Sequence, residues 1–276
     1  MALRASIRRT LGSVVKATAV AVDLISPPQS GIVVLIYHRV GGRTASNVDL
    51  PRGLFDEQIG ELAAAGRIVS LDEAAERLSG GVPIEGPPPV VITFDDGTAD
   101  WVDEALPVLV AHQAPATFYV ATDFVESGRP FPGNGSPISW AGLGELASTG
   151  LATIGSHTHT HALLDRADAA TAADELDRSI DLIGERLGVE CQHFAYPKAL
   201  LASSAAEPEV RRRFATAAIA RSRANTVGSD LHRLTRTPIQ VTDGMGWFRR
   251  KADGGMRFED TARSVLNRGR YAGATT

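Results

Sequence analysis

Cysteine is almost missing from this chain: Cys191 is the only one in 276 residues. That excludes an intramolecular disulfide and fits a reducing compartment. Its setting, Gly188-Val189-Glu190-Cys191-Gln192, reads as the start of a strand rather than as the surroundings of a thiol nucleophile. Long apolar runs are missing too, and nothing approaches the roughly 18 consecutive apolar residues of a membrane span. Near the N-terminus, Arg4, Arg8, Arg9 and Lys16 precede the first acid, Asp23. Lys16 interrupts the apolar stretch of about 7–15 residues that a secretory signal needs, and no small-residue cleavage site stands out. The expectation is a basic leader helix and linker over residues 1–30. The protein would then be cytoplasmic, or peripheral at the inner membrane surface through residues 1–25. An excess of positive charge is also lacking, with 28 basic residues against 32 acidic ones and a net charge of −4. No basic stripe interleaved with aromatics occurs, so no nucleic-acid partner is expected. There is no internal repeat and no low-complexity tract.

What is present suits one large domain or two small ones: 43% of residues are hydrophobic and 22% charged, ample for a core. Pro27-Pro28-Gln29-Ser30-Gly31 separates the leader from a region of alternating strand-like and helix-like segments. Strands are expected at Ile32–His38, Val90–Asp95, Ala116–Ala121, Ala152–Ser156, His193–Tyr196, Ala215–Ala220 and Arg236–Val241. Their apolar runs are continuous rather than alternating, as in strands covered on both faces. Helices are expected at Phe55–Ala65, Leu71–Leu78, Trp101–His112, Trp140–Ser148 and Ala170–Leu187. In the last of these, Leu176, Ile180, Ile183 and Leu187 repeat at helical spacing. The strand–helix order predicts an α/β fold, a distorted and incomplete TIM-like (β/α) barrel of about seven strands, over residues 31–245. A C-terminal helix and tail would occupy residues 246–276. Two turn-rich inserts interrupt the alternation. Gly80–Pro89 holds four prolines and leads into the second strand, and Glu126–Pro137 is placed to border a groove.

Two clusters end apolar runs. Val90-Val91-Ile92 leads into Thr93-Phe94-Asp95-Asp96-Gly97, and Leu151–Gly155 leads into His157-Thr158-His159-Thr160-His161. Asp-Asp-Gly is commonly a turn. Two adjacent carboxylates leaving a buried strand, however, need a cation or a shared proton. Three of the chain's seven histidines fall within five positions. In an extended segment His157, His159 and His161 would point the same way; in a helical turn only His157 and His161 would. His157 and His161 are therefore the robust pair. Two imidazoles and a distant carboxylate suit a catalytic metal site with open positions, and a neighbouring carboxylate offers a base. In barrels, catalytic groups sit at the carboxyl ends of strands, where both clusters fall.

These residues resemble the polysaccharide deacetylase family, the NodB-homology domain of carbohydrate esterase family 4. That family is marked by Thr-Phe-Asp-Asp-Gly and His-(Ser/Thr)-x-x-His. The resemblance spans Ile32–Val241 and includes Tyr37-His38-Arg39-Val40, Phe118-Tyr119-Val120, Gly155-Ser156-His157 and Phe194-Ala195-Tyr196-Pro197. It implies a metal-dependent hydrolase that removes N-acetyl groups from a polysaccharide, oligosaccharide or lipid-linked sugar. It further implies one divalent ion, Zn2+ or similar, on Asp96, His157 and His161, with Asp95 as general base. Tyr196, Pro197 and Lys198 would meet the substrate or its oxyanion. The chain departs from the family in its third motif, where Lys198-Ala199 follow Pro197 and Ala195 stands where an arginine often steers the base. Arg236 is a candidate to supply that charge from another strand. The usual Leu-x-His near the domain end is absent as such, leaving His232 and His38 as candidate acids. A deformylase or amidohydrolase acting on another C–N bond, and a non-catalytic carbohydrate-binding domain, are the competing readings.

Overall fold

The computed structural model describes Lys16, Ala19, Val22, Asp23, Ile25, residues 27–132 and residues 135–259. Seven parallel strands close into a barrel in the order β1 (Val33–Tyr37), β4 (Val90–Phe94), β5 (Ala116–Val120), β6 (Ala152–Ser156), β7 (His193–Ala195), β8 (Thr216–Ala220) and β9 (Leu234–Pro238). Closure comes from β1 pairing with β9, Val34 opposite Arg236, so the ring is complete with seven strands where the TIM barrel has eight. Two short strands, β2 (Arg39–Val40) and β3 (Asp49–Leu50), pair beside the carboxyl end of β1. Arg236, expected to open the last strand, lies in the middle of β9, and that strand ends at Pro238 instead of Val241.

The helices are α1 (Arg52–Ala64), α2 (Leu71–Ser79), α3 (Leu106–Ala111), α4 (Thr122–Ser127), α5 (Trp140–Ser148), α6 (Ala169–Leu187), α7 (Glu207–Arg213) and α8 (Gly244–Ala252). The expected helix Trp101–His112 is split, with a π-turn at Trp101–Ala105 running into α3 at Leu106-Pro107. At the start of α6, the Asp168 side chain accepts from the Thr171 amide at 2.7 Å. At its end, Gly188 takes the left-handed conformation that halts the helix. Its inner face buries Ala172, Leu176 and Ile183, each fully buried Leu or Ile contributing roughly 1.5–3 kcal/mol. α2 has a different task. Ser70 caps it by accepting from the Glu73 amide at 3.1 Å, and Leu71, Ala74 and Leu78 cluster with the lumen residues Val34, Val91, Tyr119, Ala195, Ala218 and Leu234. The core is thus two layers, helices against strands outside and a filled lumen within.

The leader does not separate cleanly from this body at its described positions. Lys16 is buried and donates to Asp243 Oδ1 at 2.6 Å, while Lys251 donates to Asp243 Oδ2 at 2.9 Å. Asp23 accepts from the Met256 amide at 2.6 Å. α8 begins at Gly244 rather than 246, and its Phe248 and Ala252 belong to the main core. Most of residues 1–25, invoked for membrane contact, and residues 260–276 lie outside the described residues. Among the described residues, no helix is long and apolar enough to cross a membrane.

Because Asp243 keeps Lys251 when Lys16 is lost, removing residues 1–26 is expected to cost about 2 kcal/mol. Calorimetry should therefore show Tm lower by roughly 4–8 °C. An unchanged Tm would contradict the docking of this segment.

Candidate metal centre and active site

Asp95 leaves β4 with its amide donating to Tyr37 O at 3.0 Å, so it continues the strand and directs its side chain into the lumen. Arg236 meets it there. Arg236 Nη1 donates to Asp95 Oδ1 at 2.6 Å and Nη2 to Oδ2 at 2.8 Å, a two-pronged pair with the arginine 1% exposed. Nη1 also donates to Thr93 Oγ1 at 3.1 Å, and the Thr93 hydroxyl donates to Leu35 O at 2.7 Å. Burial alone would raise the Asp95 pKa, but the Arg236 guanidinium, above all, outweighs it and holds it at about 2.

The next residue turns away. Asp96 has φ 85° and Gly97 has φ 118°. A side chain at 97 would come within 3.3 Å of Val120 Cγ1, so glycine is needed for both the angle and the space. The turn carries the Asp96 carboxylate to the histidines: Oδ1 lies 3.5 Å from His161 Nε2 and 3.8 Å from His157 Nε2. The His157 and His161 rings stand 4.9 Å apart at 68°. His157 Nδ1 is 2.7 Å from Ala195 O; a proton there leaves the Nε2 lone pair free to bind a cation on the side where Asp96 lies. Residues 157–161 are neither strand nor helical turn, because Thr158 (φ 62°) and His161 (φ 64°) are left-handed. That path swings His159 away: its Nδ1 lies 2.9 Å from Thr122 Oγ1 and its Nε2 4.0 Å from Asp123 Oδ1.

Asp96, His157 and His161 form the one cluster among the described residues whose donor atoms converge as metal ligands do, all within 4.8 Å of one another. Two donors bound at about 2.0–2.1 Å to one tetrahedral ion stand roughly 3.3 Å apart, close to the separations found. The chemistry also fits. Burial, outweighing the aspartates, lowers the His157 pKa, and burial with the neighbouring His157 lowers His161 to about 3, so both imidazoles are neutral as ligands must be. Burial pushes Asp96 up, yet His38, the largest opposing influence, brings it below its ordinary range, so it is ionised.

His38 follows β1 at the same mouth and influences both aspartates. Its carbonyl accepts from Trp101 Nε1 at 2.7 Å, and its buried Nδ1 has no partner among the described residues. The π-turn is where Trp101 sits, and such turns are frequent at functional sites. Pro137 and Ile138 also border this mouth, Pro137 bridging to Thr98 and Ile138 N donating to Gly97 O at 2.8 Å.

Other expected site residues lie elsewhere. His232 precedes β9, at the opposite end of the barrel, with Nε2 2.7 Å from Phe214 O, so it cannot serve as the acid of this mouth. Tyr196 is not a substrate group either. Its ring packs at 4.9 Å on Phe194 in the outer core, and its hydroxyl, raised to about 12 chiefly by burial, feels Glu207, Arg211, Arg233 and Asp230 instead of the metal cluster. Pro197 is buried. Lys198 is exposed and its charge reaches His161. It forms, with Ala199, a pair of left-handed residues (φ 53° and 59°) in a turn closed by Leu200 N donating to Pro197 O at 3.2 Å. Thr93 and Trp101 were missed as supporting residues. For Thr93 a signal existed, since it lies two positions before Asp95 and so on the same strand face.

A closed α/β barrel thus carries at its carboxyl mouth a carboxylate and two imidazoles that converge as metal ligands do, with a second aspartate held apart by Arg236. The polysaccharide deacetylase family profile matches residues 84–210, which contain both clusters. Over that stretch the chain is similar to the polysaccharide deacetylases, a match that supports a hydrolase acting on carbon–nitrogen bonds other than peptide bonds. Among solved structures it is similar to IcaB from Ammonifex degensii, at 27% identity and TM-score 0.68, covering 80% of this chain and 98% of that one. The Streptococcus pyogenes deacetylase PplD, solved in complex with acetate, shares the fold at 20% identity and TM-score 0.70, with the same coverage. The de-N-acetylase from Aggregatibacter actinomycetemcomitans does so at 19% identity and TM-score 0.66, covering 80% and 99%. A comparison with curated proteins finds no match.

Zinc-loaded protein should hold near one ion per chain by mass spectrometry. Metal is expected to be lost in His157→Ala and His161→Ala and kept in Asp95→Asn and His159→Ala; equal content in all four would contradict the ligand set. The Arg236 pair has its own signature in chelator-treated protein. Asp95, lowered from 3.8 to about 2, adds stability above pH 3.8 that fades as pH falls toward 2. In Arg236→Met the buried carboxylate lacks a cation and burial raises its pKa. Urea denaturation should then show a loss of about 3–5 kcal/mol at pH 7 that shrinks at pH 5. A loss equal at both would contradict the pairing.

Proposed function

We propose that this chain hydrolyses the N-acetyl groups of a carbohydrate, with Asp96, His157 and His161 holding one divalent ion, Asp95 as base and His38 as acid. The observation that carries this reading is the division of two adjacent aspartates: Asp96 turned to the imidazoles, Asp95 held off them by Arg236. A carboxylate with both oxygens on a guanidinium still has free lone pairs with which to accept a proton. When bound, a divalent metal supplies a polarised acyl oxygen and a water acidified enough for so weak a base.

Water's oxygen bonds to the acyl carbon and its proton passes to Asp95. The carbon–nitrogen bond then breaks while His38, across the mouth, protonates the leaving nitrogen. The products are acetate and a free amino sugar. The backbone of Pro197–Ala199 lines the same mouth beside His161 and supports a role in seating the acyl group. Arg236 and Thr93 keep Asp95 oriented throughout. For the substrate, chitin-like oligomers, peptidoglycan, exopolysaccharide and lipid-linked sugars all carry the required group.

Screening zinc-loaded protein across those four classes should detect acetate release from at least one. Asp95→Asn and His38→Ala are each expected to slow it by roughly 10²–10⁴-fold with metal retained. Formate release without acetate would move the reading to a deformylase, and release of neither from any N-acylated sugar would refute it.

A further inference from the structure

Arg236 crosses the lumen with few polar contacts for a buried guanidinium. Nη1 and Nη2 serve Asp95 and Thr93, and Nε has no partner among the described residues. What lies beneath the guanidinium is an aromatic face: Cζ stands 4.9 Å from the ring centre of Tyr119, which is itself fully buried in the lumen. Burial raises the Tyr119 pKa well above its ordinary value, so the phenol stays neutral and attracts the cation through its ring. Its hydroxyl has no partner among the described residues. A buried polar atom left unpaired is costly, so the hydroxyl is not what earns Tyr119 its place.

The ring has been given room. Tyr119 pairs with Gly155 across β5 and β6, and a Cβ built on Gly155 would fall 2.8 Å from Tyr119 Cδ1 and 2.8 Å from His193 O. Gly155 has no left-handed angle to justify it, so its reason is this close approach. Gly155 also lies two residues before His157 on the same strand face, which ties the seat of the ring to the segment carrying the metal ligands.

We propose that Tyr119, seated in the space left by Gly155, is a positioning residue: its ring is the platform that sets the Arg236 guanidinium, and through it Asp95, at the working distance from the metal cluster. This rests on the deacetylase reading for its kinetic consequence and on geometry alone for its structural one. A side chain that merely filled the lumen would be replaceable by any apolar group of similar size; a platform requires an aromatic face.

The test compares Tyr119→Phe, Tyr119→Leu and Gly155→Ala in the full-length zinc-loaded protein. Tyr119→Phe should keep kcat, since the face remains. Tyr119→Leu should lower kcat roughly tenfold, with KM within about twofold and one zinc retained per chain. Gly155→Ala, which keeps the tyrosine but pushes its ring, should give the same split and serves where Tyr119→Leu folds poorly. An unchanged kcat in both Tyr119→Leu and Gly155→Ala would overturn the proposal, as would an equal loss in Tyr119→Phe. Crystal structures of the same variants read the platform without activity. The Asp95–Arg236 contacts, 2.6 and 2.8 Å in the native chain, should lengthen or become single in Tyr119→Leu, and their persistence would overturn it. A wild-type protein inactive on every N-acylated sugar would sink the deacetylase reading and leave this structural arm standing.

Discussion

Two opposite charges sealed inside a barrel govern the rest of this molecule. Arg236 and Asp95 are 141 positions apart in the chain and almost without solvent. Taking either into the lumen alone would cost several kcal/mol, so each is tolerable only with the other in place. The pair forms only when β9 closes against β1, whose other neighbour is β4, so closure of the ring and formation of the pair go together. Such a pair adds little net stability. What it provides is an ionised carboxylate with a fixed direction, next to but outside a cluster that would otherwise draw it in.

Backbone conformation completes the division of labour. Of the seven non-glycine residues described in the left-handed region, Asp96, Thr158, His161, Lys198 and Ala199 lie in segments that leave β4, β6 and β7 at one mouth. Each such conformation costs on the order of 1–3 kcal/mol, and they persist where surroundings over-determine them. Here they decide which neighbour points where: Asp96 departs from Asp95, and His159 departs from His157 and His161 to brace α4 instead. Strain has been placed where identical side chains had to be sorted into different roles.

Much of this was legible beforehand. Continuous apolar runs give strands buried on both faces, so all seven barrel strands were found to within three residues at each end. The spacing of His157 and His161 singled out the pair that converges with Asp96, although the chain brings them together by a path that is neither strand nor helix. Other features depended on tertiary neighbours. His232 sits in a plausible motif, yet the register of β9 places it at the wrong end, while His38, at the right end, has no spacing to mark it. Tyr196 follows a strand end like the residues of the Asp/His cluster but faces outward, since strand side chains alternate and β7 is only three residues long. Arg236 was named beforehand through the family resemblance, yet its pairing with Asp95 comes by ring closure, which no local pattern encodes. The π-turn at Trp101 and the docking of Lys16 on Asp243 are likewise contacts between distant segments, invisible to any window of sequence.

The division between Asp95 and Asp96 is open to one direct measurement, a crystal structure of the protein soaked with zinc and acetate. The account predicts one ion bonded to Asp96, His157 and His161, with acetate beside it and Asp95 still on Arg236 by both oxygens. An ion bonded to Asp95, or an Arg236 released from it, would contradict the account.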